Sequence, residues 1–253
     1  MAHLSPAGAT VNSLRPTWRS AGRTQRGQSR PRNEDALLDC PQLGCWAVAD
    51  GMGGHRHGDV ASQWVISSLA SLPARGSLDQ RVNAVRQSLQ GVNQRLANAR
   101  QAPGAPGSGV IGSTVVTLLL EHGRAACVWA GDSRCYLWRE QNLYQLSRDH
   151  SLLQRLMDER QLSATQAGAH PDARALTRAV GGHSTLRLEV LELSTRPGDV
   201  FLLCSDGLYQ ALSHADLGLA LSAGGPRQVV DRLFASALHT PARDDLTAVV
   251  VQS

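Results

Sequence analysis

Short apolar runs bounded by turn residues alternate with longer stretches in which apolar residues recur every three or four positions. The first kind predicts buried strands, the second amphipathic helices. Strands are expected over 17–24 and 35–49. A helix over 59–72 follows, capped by Asp59, with Val60, Trp64, Ile66 and Leu69 on its buried stripe. A second helix is expected over 78–100, where Val82, Val85, Leu89, Val92 and Leu96 share one face. Prolines and glycines make 101–112 a loop. A β-rich centre comes next, with strands at 113–121, 125–130, 135–139 and 143–146. Its connections are short enough for hairpins, so a single antiparallel sheet is expected there. Helices at 150–160 and 163–169, strands at 186–193 and 199–205, helices at 213–221 and 226–238 and a last strand after Asp244 complete the pattern. Helix pairs alternating with antiparallel meanders imply an α+β layered sandwich, helices outside two sheets.

The length of 253 residues suits one large domain or two small ones. Residues 1–16, small, polar and aperiodic, are expected to be a flexible leader, and 17–253 the folded domain. Aromatics are only 4% of the chain, so Leu, Val and Ala must supply the core. No apolar run reaches membrane-spanning length, and the N-terminus lacks the hydrophobic block of a signal peptide. A cytoplasmic protein without a membrane partner is expected. The five cysteines form no CxxC pair and read as buried, reduced thiols. The net charge is +4, with Arg15, Arg19, Arg23, Arg26, Arg30 and Arg32 crowded near the start. Such a bias suits nucleic acid, or a rim that attracts a phosphorylated, acidic partner. The arginines are not interleaved with aromatics and no helix-turn-helix or finger spacing appears, which argues against nucleic acid.

Four of the apolar runs touch an aspartate at one end: Asp50, Asp132, Asp206 and Asp244. Strands that all deliver a carboxylate to their ends suggest one anionic site, relieved by hard cations with oxygen ligands. Asp50, Asp206 and Asp244 could hold two divalent ions. Such a pair lowers the pKa of a bridging water and clamps an in-line displacement at phosphorus. Gly51 would let the backbone approach closely enough for its carbonyl to bind metal. Taken singly, each acid has a plainer reading: a hairpin turn for Asp50-Gly51, a cap for Asp206, a turn or helix-end acid for Asp244, an Asx turn for Asp132. Upstream, Arg30 precedes Glu34-Asp35. On an extended segment the arginine could grip phosphate oxygens while the acids hold coordinated waters; a solvated charge run is the alternative. The chain has no P-loop and no CxxxxxR signature.

Arg30-x-x-Asn33-Glu34-Asp35, then Val48-Ala49-Asp50-Gly51-Met52-Gly53-Gly54-His55, Gly112-Ser113-Thr114, Gly131-Asp132-Ser133-Arg134, Ser147-Arg148-Asp149-His150-Ser151, His170-Pro171, Leu176-Thr177-Arg178-Ala179-Val180-Gly181, Ser205-Asp206-Gly207-Leu208 and Arg243-Asp244-Asp245-Leu246-Thr247 occur in that order. The ordered set resembles the metal-dependent protein serine/threonine phosphatases of the protein phosphatase 2C type (PP2C, or PPM) in their bacterial form. The resemblance implies a four-layer α/β/β/α sandwich, two antiparallel sheets flanked by helix pairs. It implies that Asp50 bridges two Mn²⁺ or Mg²⁺ ions, that Gly51 gives one of them its carbonyl, and that Asp206 and Asp244 ligate the other. Glu34 and Asp35 would hold coordinated waters, Arg30 would orient the phosphoryl group, and Asp132 with Asp206 matches a third metal site. The segment 151–182 matches a mobile flap beside the active site. The implied partners are phosphorylated proteins and a cognate bacterial Ser/Thr kinase, with the phosphatase acting as a monomer. Two positions depart from the family: Met52 stands where eukaryotic relatives carry histidine, and Asp245 where asparagine is usual. Methionine cannot donate a proton to the leaving oxygen. Asp245 adds a charge that either tightens metal binding or faces water. A non-catalytic phosphoprotein-binding module is the competing reading; it predicts a missing ligand, whereas all four strand-end acids and Arg30 are present.

Overall fold

A computed structural model describes residues 18–53, 57–101, 111–241 and 244–252. Its strands are β1 (Arg19–Gln25), β2 (Asp35–Cys40), β3 (Cys45–Met52), β4 (Gly112–Ser113), β5 (Val115–Glu121), β6 (Arg124–Ala130), β7 (Arg134–Arg139), β8 (Asn142–Gln145), β9 (Glu189–Ser194), β10 (Val200–Cys204) and β11 (Leu246–Gln252). The helices are α1 (Gly58–Ala70), α2 (Leu78–Gln101), α3 (Leu152–Arg160), α4 (Ala164–Gly168), α5 (Asp206–Ala211), α6 (His214–Leu221) and α7 (Pro226–Leu238). One sheet runs β1-β11-β10-β7-β8; the other runs β2-β3-β5-β6-β9, with β4 paired to β3. Every pairing between these strands is antiparallel.

Period-two alternation explains the layering. Along β11, Val249 and Val251 face the other sheet, where they meet Trp46, Val116 and Leu118. Leu246, Ala248 and Val250 face outward and pack with Val229, Leu233 and Phe234 of α7. On the opposite side α1 and α2 cover Ala47, Ala49, Leu119 and Val128 of the second sheet. The result is the expected α/β/β/α order, and both faces of each central strand are buried.

Several boundaries differ from the sequence pattern. The run 35–49 is two strands, because Pro41 opens a 3-10 turn and Gly44 closes it at φ 55°. Helix α1 takes His57 rather than Asp59 as its cap, and its stripe is turned: Ala61, Val65, Ile66 and Leu69 are buried, whereas Val60 is exposed and Trp64 lies under the Arg95 guanidinium. Helix α5, begun by Asp206 itself, was not expected; Asp206 therefore opens a helix just beyond its strand. The expected single central sheet is also incorrect. β5 and β6 pair in one sheet, β7 and β8 in the other, and the chain crosses between sheets at Gly131-Asp132-Ser133. The leader 1–16 and most of the loop after α2 lie outside the described residues. Among the described residues no helix is long and apolar enough to cross a membrane.

Candidate active site

The acids are delivered by backbone register. Asp50 near the end of β3 sits directly opposite Asp35 at the start of β2. Opposed residues share a sheet face, so the two carboxylates are neighbours. The Asp50 backbone is pinned on both sides: its N–H donates to Thr114 Oγ1 (2.9 Å), and its carbonyl accepts from Thr114 N–H (2.8 Å) and Ser113 Oγ (3.1 Å). Asp35 Oδ2 accepts from Ser205 Oγ and Thr247 Oγ1, each at 2.7 Å. Those two hydroxyls come from the opposite sheet, so Asp35 ties the sheets together at this end. Asp132 arrives on the crossing between sheets, Asp206 on the first turn of α5, and Asp244 just before β11.

Two glycines permit this crowding. A Cβ on Gly51 would lie 2.0 Å from the Gly58 carbonyl oxygen, and one on Gly207 would lie 2.1 Å from that of Asp245. Only a residue without a side chain lets α1 and α5 press their first turns against the acidic strand ends.

Arg30, Glu34, Asp50, Gly51, Asp132, Asp206 and Asp244 line one cavity of about 670 Å³. Asp35 is outside that wall, buried behind Asp50. Burial, then the charge of Asp35, Asp206, Asp132 and Asp244, pushes the Asp50 carboxyl well above the usual range. Burial and Asp206 push Asp132 up to about 7. Burial and Asp244 raise Asp206. Burial is also the main cause for Glu34 and Asp35, both raised. A cavity whose carboxylates repel one another to this degree is short of positive charge. Its described wall holds hard oxygen donors and no cysteine or histidine, a donor set that fits Mg²⁺ or Mn²⁺. The acids ring the space rather than converge: among the described residues no three Asp, Glu, His or Cys side chains form a ready cage. An ion here would rest on one or two carboxylates, a carbonyl and water, as Mg²⁺ commonly does.

Arg30 is not free for phosphate in this arrangement. Its Nε donates to Asp244 Oδ1 at 2.8 Å and its Nη2 to Asp244 Oδ2 at 2.7 Å. The hydrogen bond to Asp244 holds the guanidinium proton even more firmly than usual. Both partners are about two-fifths exposed. Solvent screens such a pair to no more than about 1 kcal/mol, so it parts readily for a cation or an anion.

The departure at Asp245 has a structural answer. The side chain is buried; Oδ1 accepts the Gly27 N–H and Oδ2 the Glu34 N–H, both at 2.8 Å. It neither faces water nor reaches the cavity wall, and instead fixes the backbone that carries Glu34. Cys204, two residues before Asp206, packs fully buried against the outer helices. Strand alternation ends where α5 begins. His55 lies outside the described residues. No role was expected for Thr114, Ser205 and Thr247, which hold the acids, or for Arg174, a further arginine in the wall. Ser205 and Thr247 sit one and three positions from an assigned acid, and Thr114 ends the Gly112-Ser113-Thr114 motif; Arg174 has no local signal.

The protein phosphatase 2C family profile matches residues 21–250. The serine/threonine protein phosphatase PstP of Mycobacterium tuberculosis is 36% identical over 236 residues, covering 92% of this chain and 44% of that protein. The chain thus spans less than half the length of that relative. A solved structure of PppA, described as a key regulatory component of T6SS in Pseudomonas aeruginosa, superposes with a TM-score of 0.84. It has 41% identity, with 94% of this chain and 98% of that chain covered. The PstP catalytic domain in complex with two manganese ions gives a TM-score of 0.78 at 33% identity, covering 93% and 97%. Strand order, acidic cavity and these likenesses agree, and the chain belongs to the protein phosphatase 2C family.

Proposed function

We propose that this protein hydrolyses phosphoserine and phosphothreonine esters on proteins with Mn²⁺ or Mg²⁺, reversing the action of a bacterial Ser/Thr kinase in the cytoplasm. The observation that carries the reading is the gathering of acids from separate strand ends around one cavity that also holds an arginine. The names of the relatives, PstP among them, support it. Asp50 and the Gly51 carbonyl, with Asp206 and Asp244, would hold two ions. Asp132 with Asp206 would hold a third, and Glu34 and the recessed Asp35 would act through water. Bound there, the ions would supply Lewis acidity, making water a stronger nucleophile and offsetting phosphate charge.

The remaining work falls to the chain itself. Thr114 and Ser113 fix the Asp50 backbone so that its carboxylate keeps one direction. Arg30, released from its screened pair with Asp244, presents a planar fork of N–H donors matched to phosphate oxygens. Met52 lines the cavity and has no proton to give, and no histidine lines its described wall. A water would then give the departing alkoxide its proton, with His55, outside the described residues, or His57 as the alternative donor. The segment 151–182, which we read as a flap, contributes Arg174 and Leu176 to the cavity lining.

Turnover of para-nitrophenyl phosphate and of a phosphothreonine peptide checks the proposal. Both should be hydrolysed with Mn²⁺ and not after EDTA treatment. A folded protein that hydrolyses neither at any Mn²⁺ concentration would instead be a binding module.

A further inference from the structure

Three arginines line the main cavity: Arg30, Arg32 and Arg174. Arg30 is held by Asp244, and Arg32 Nη1 donates to Asp59 Oδ2 at 3.0 Å. Arg174 is exposed and makes no hydrogen bond or ion pair among the described residues. Its backbone, in contrast, is fixed. The carbonyls on either side, those of Ala173 and Ala175, accept the N–H groups of Leu153 and Leu152, both at 2.8 Å. Ser151 forms an isolated bridge to Leu176. A held stem with a free guanidinium loses little backbone freedom when it takes a ligand.

A second cavity, of about 380 Å³, adjoins the first, and Arg174 and Asp244 line both. The other polar side chains of this side cavity are engaged. Gln210 Nε2 donates to Asp206 Oδ2 at 2.6 Å, and Thr240 Oγ1 to the Ala237 carbonyl at 2.7 Å. Arg30 occupies both carboxylate oxygens of Asp244. Arg174 is thus the side cavity's available charged donor among the described residues. A peptide whose phosphoresidue enters the main cavity continues at about 3.5 Å per residue, so a near neighbour can reach the adjoining space.

We propose that Arg174 makes this side cavity a subsite for an anionic side chain, a carboxylate or a second phosphate, one or two residues from the phosphoserine or phosphothreonine under attack. This rests on the phosphatase reading above. Either anion offers paired oxygens to the guanidinium fork. Arg174 is then a specificity determinant, distinct from the arginine that handles the reacting phosphoryl group. The competing role is that of a counter-ion steadying Asp206, whose charge it partly offsets.

Phosphothreonine peptides that differ at one flanking position (Ala, Glu, Lys or a non-hydrolysable phosphonate) separate these roles, with kcat and KM measured on wild type, Arg174→Gln and Arg174→Glu in Mn²⁺. The expected wild-type preference for Glu over Ala is about tenfold in kcat/KM, carried mainly by KM. It should fall to about one in Arg174→Gln and turn toward Lys in Arg174→Glu. A phosphonate preferred to Glu identifies phosphate as the better anion, and the reverse identifies carboxylate; both support the subsite. An equal Glu-to-Ala ratio in all three proteins overturns it, and a counter-ion role would then slow every peptide alike. No turnover of any peptide by wild type overturns the phosphatase reading, and the subsite with it.

Discussion

Asp50 and Asp35 stand side by side because a hairpin register places them there, and Asp35 makes Asp50 harder to ionise. This gives Asp50→Asn two opposite effects. Turnover should fall by about 100-fold or more, since even outer partners of metal ligands cost 10–100-fold. The EDTA-treated protein should melt higher than wild type, because one buried charge is gone. Phosphatase assay and thermal melting read the two effects, and near-wild-type turnover would remove Asp50 from the ligand set. The acids were legible in the sequence because each abuts an apolar run. Their partners were not. Arg30 and Asp244 are 214 positions apart, and no local pattern announces that they clasp. Asp245 read only as an added charge, near the metals or in water, because a carboxylate that accepts two backbone N–H groups has the same letter as one that does either.

At the scale of elements, periodicity located most strands and helices, and the α2 stripe of Val82, Val85, Leu89, Val92 and Leu96 is buried throughout. It could not tell which sheet a strand joins. The central strands are covered on both faces, so their apolar runs are continuous and carry no directional signal. Turn chemistry alone marks the step from β6 to β7, where Gly131 takes φ 114°. A buried ion pair secures the far end of the sheet that β7 joins. Arg139 Nε and Nη2 donate to the two oxygens of Asp199 at 2.8 and 2.6 Å, and the Arg196 N–H adds a third bond at 2.8 Å. Asp199 is only 1% exposed, Arg139 19%. Removing one member strands the other, so Asp199→Ala should cost about 3 kcal/mol in urea unfolding, the lower end for a buried pair because Arg139 keeps some solvent. A loss under about 1 kcal/mol would show that water replaces the aspartate.

For the molecule as a whole, the acidic cavity couples folding to pH and metal. Asp132 rises from 3.8 to about 7, and Asp35, Asp50 and Asp206 move the same way. Across that window the folded metal-free protein keeps protons that the unfolded chain has already released. Its stability is therefore greatest below the unfolded pKa and is lost as pH climbs through the folded values. Melting in EDTA should drop by about 5 °C or more between pH 5 and pH 8, and Mn²⁺ should restore most of it at the upper end. A flat profile in EDTA would mean that the carboxylates are already neutralised within the protein.

Strand β11 is nearly the last stretch of the described chain, yet it lies inside its sheet, between β1 and β10. Arg19 pairs with Gln252 and Gln25 with Leu246, so β1 has no neighbour until β11 arrives. During translation the N-terminal strand must wait, unpaired, while more than two hundred residues emerge from the ribosome. Asp244 enters the cavity only with that closing strand, so on the proposed phosphatase reading a half-made chain would lack one of its acids and stay inactive toward the proteins around it.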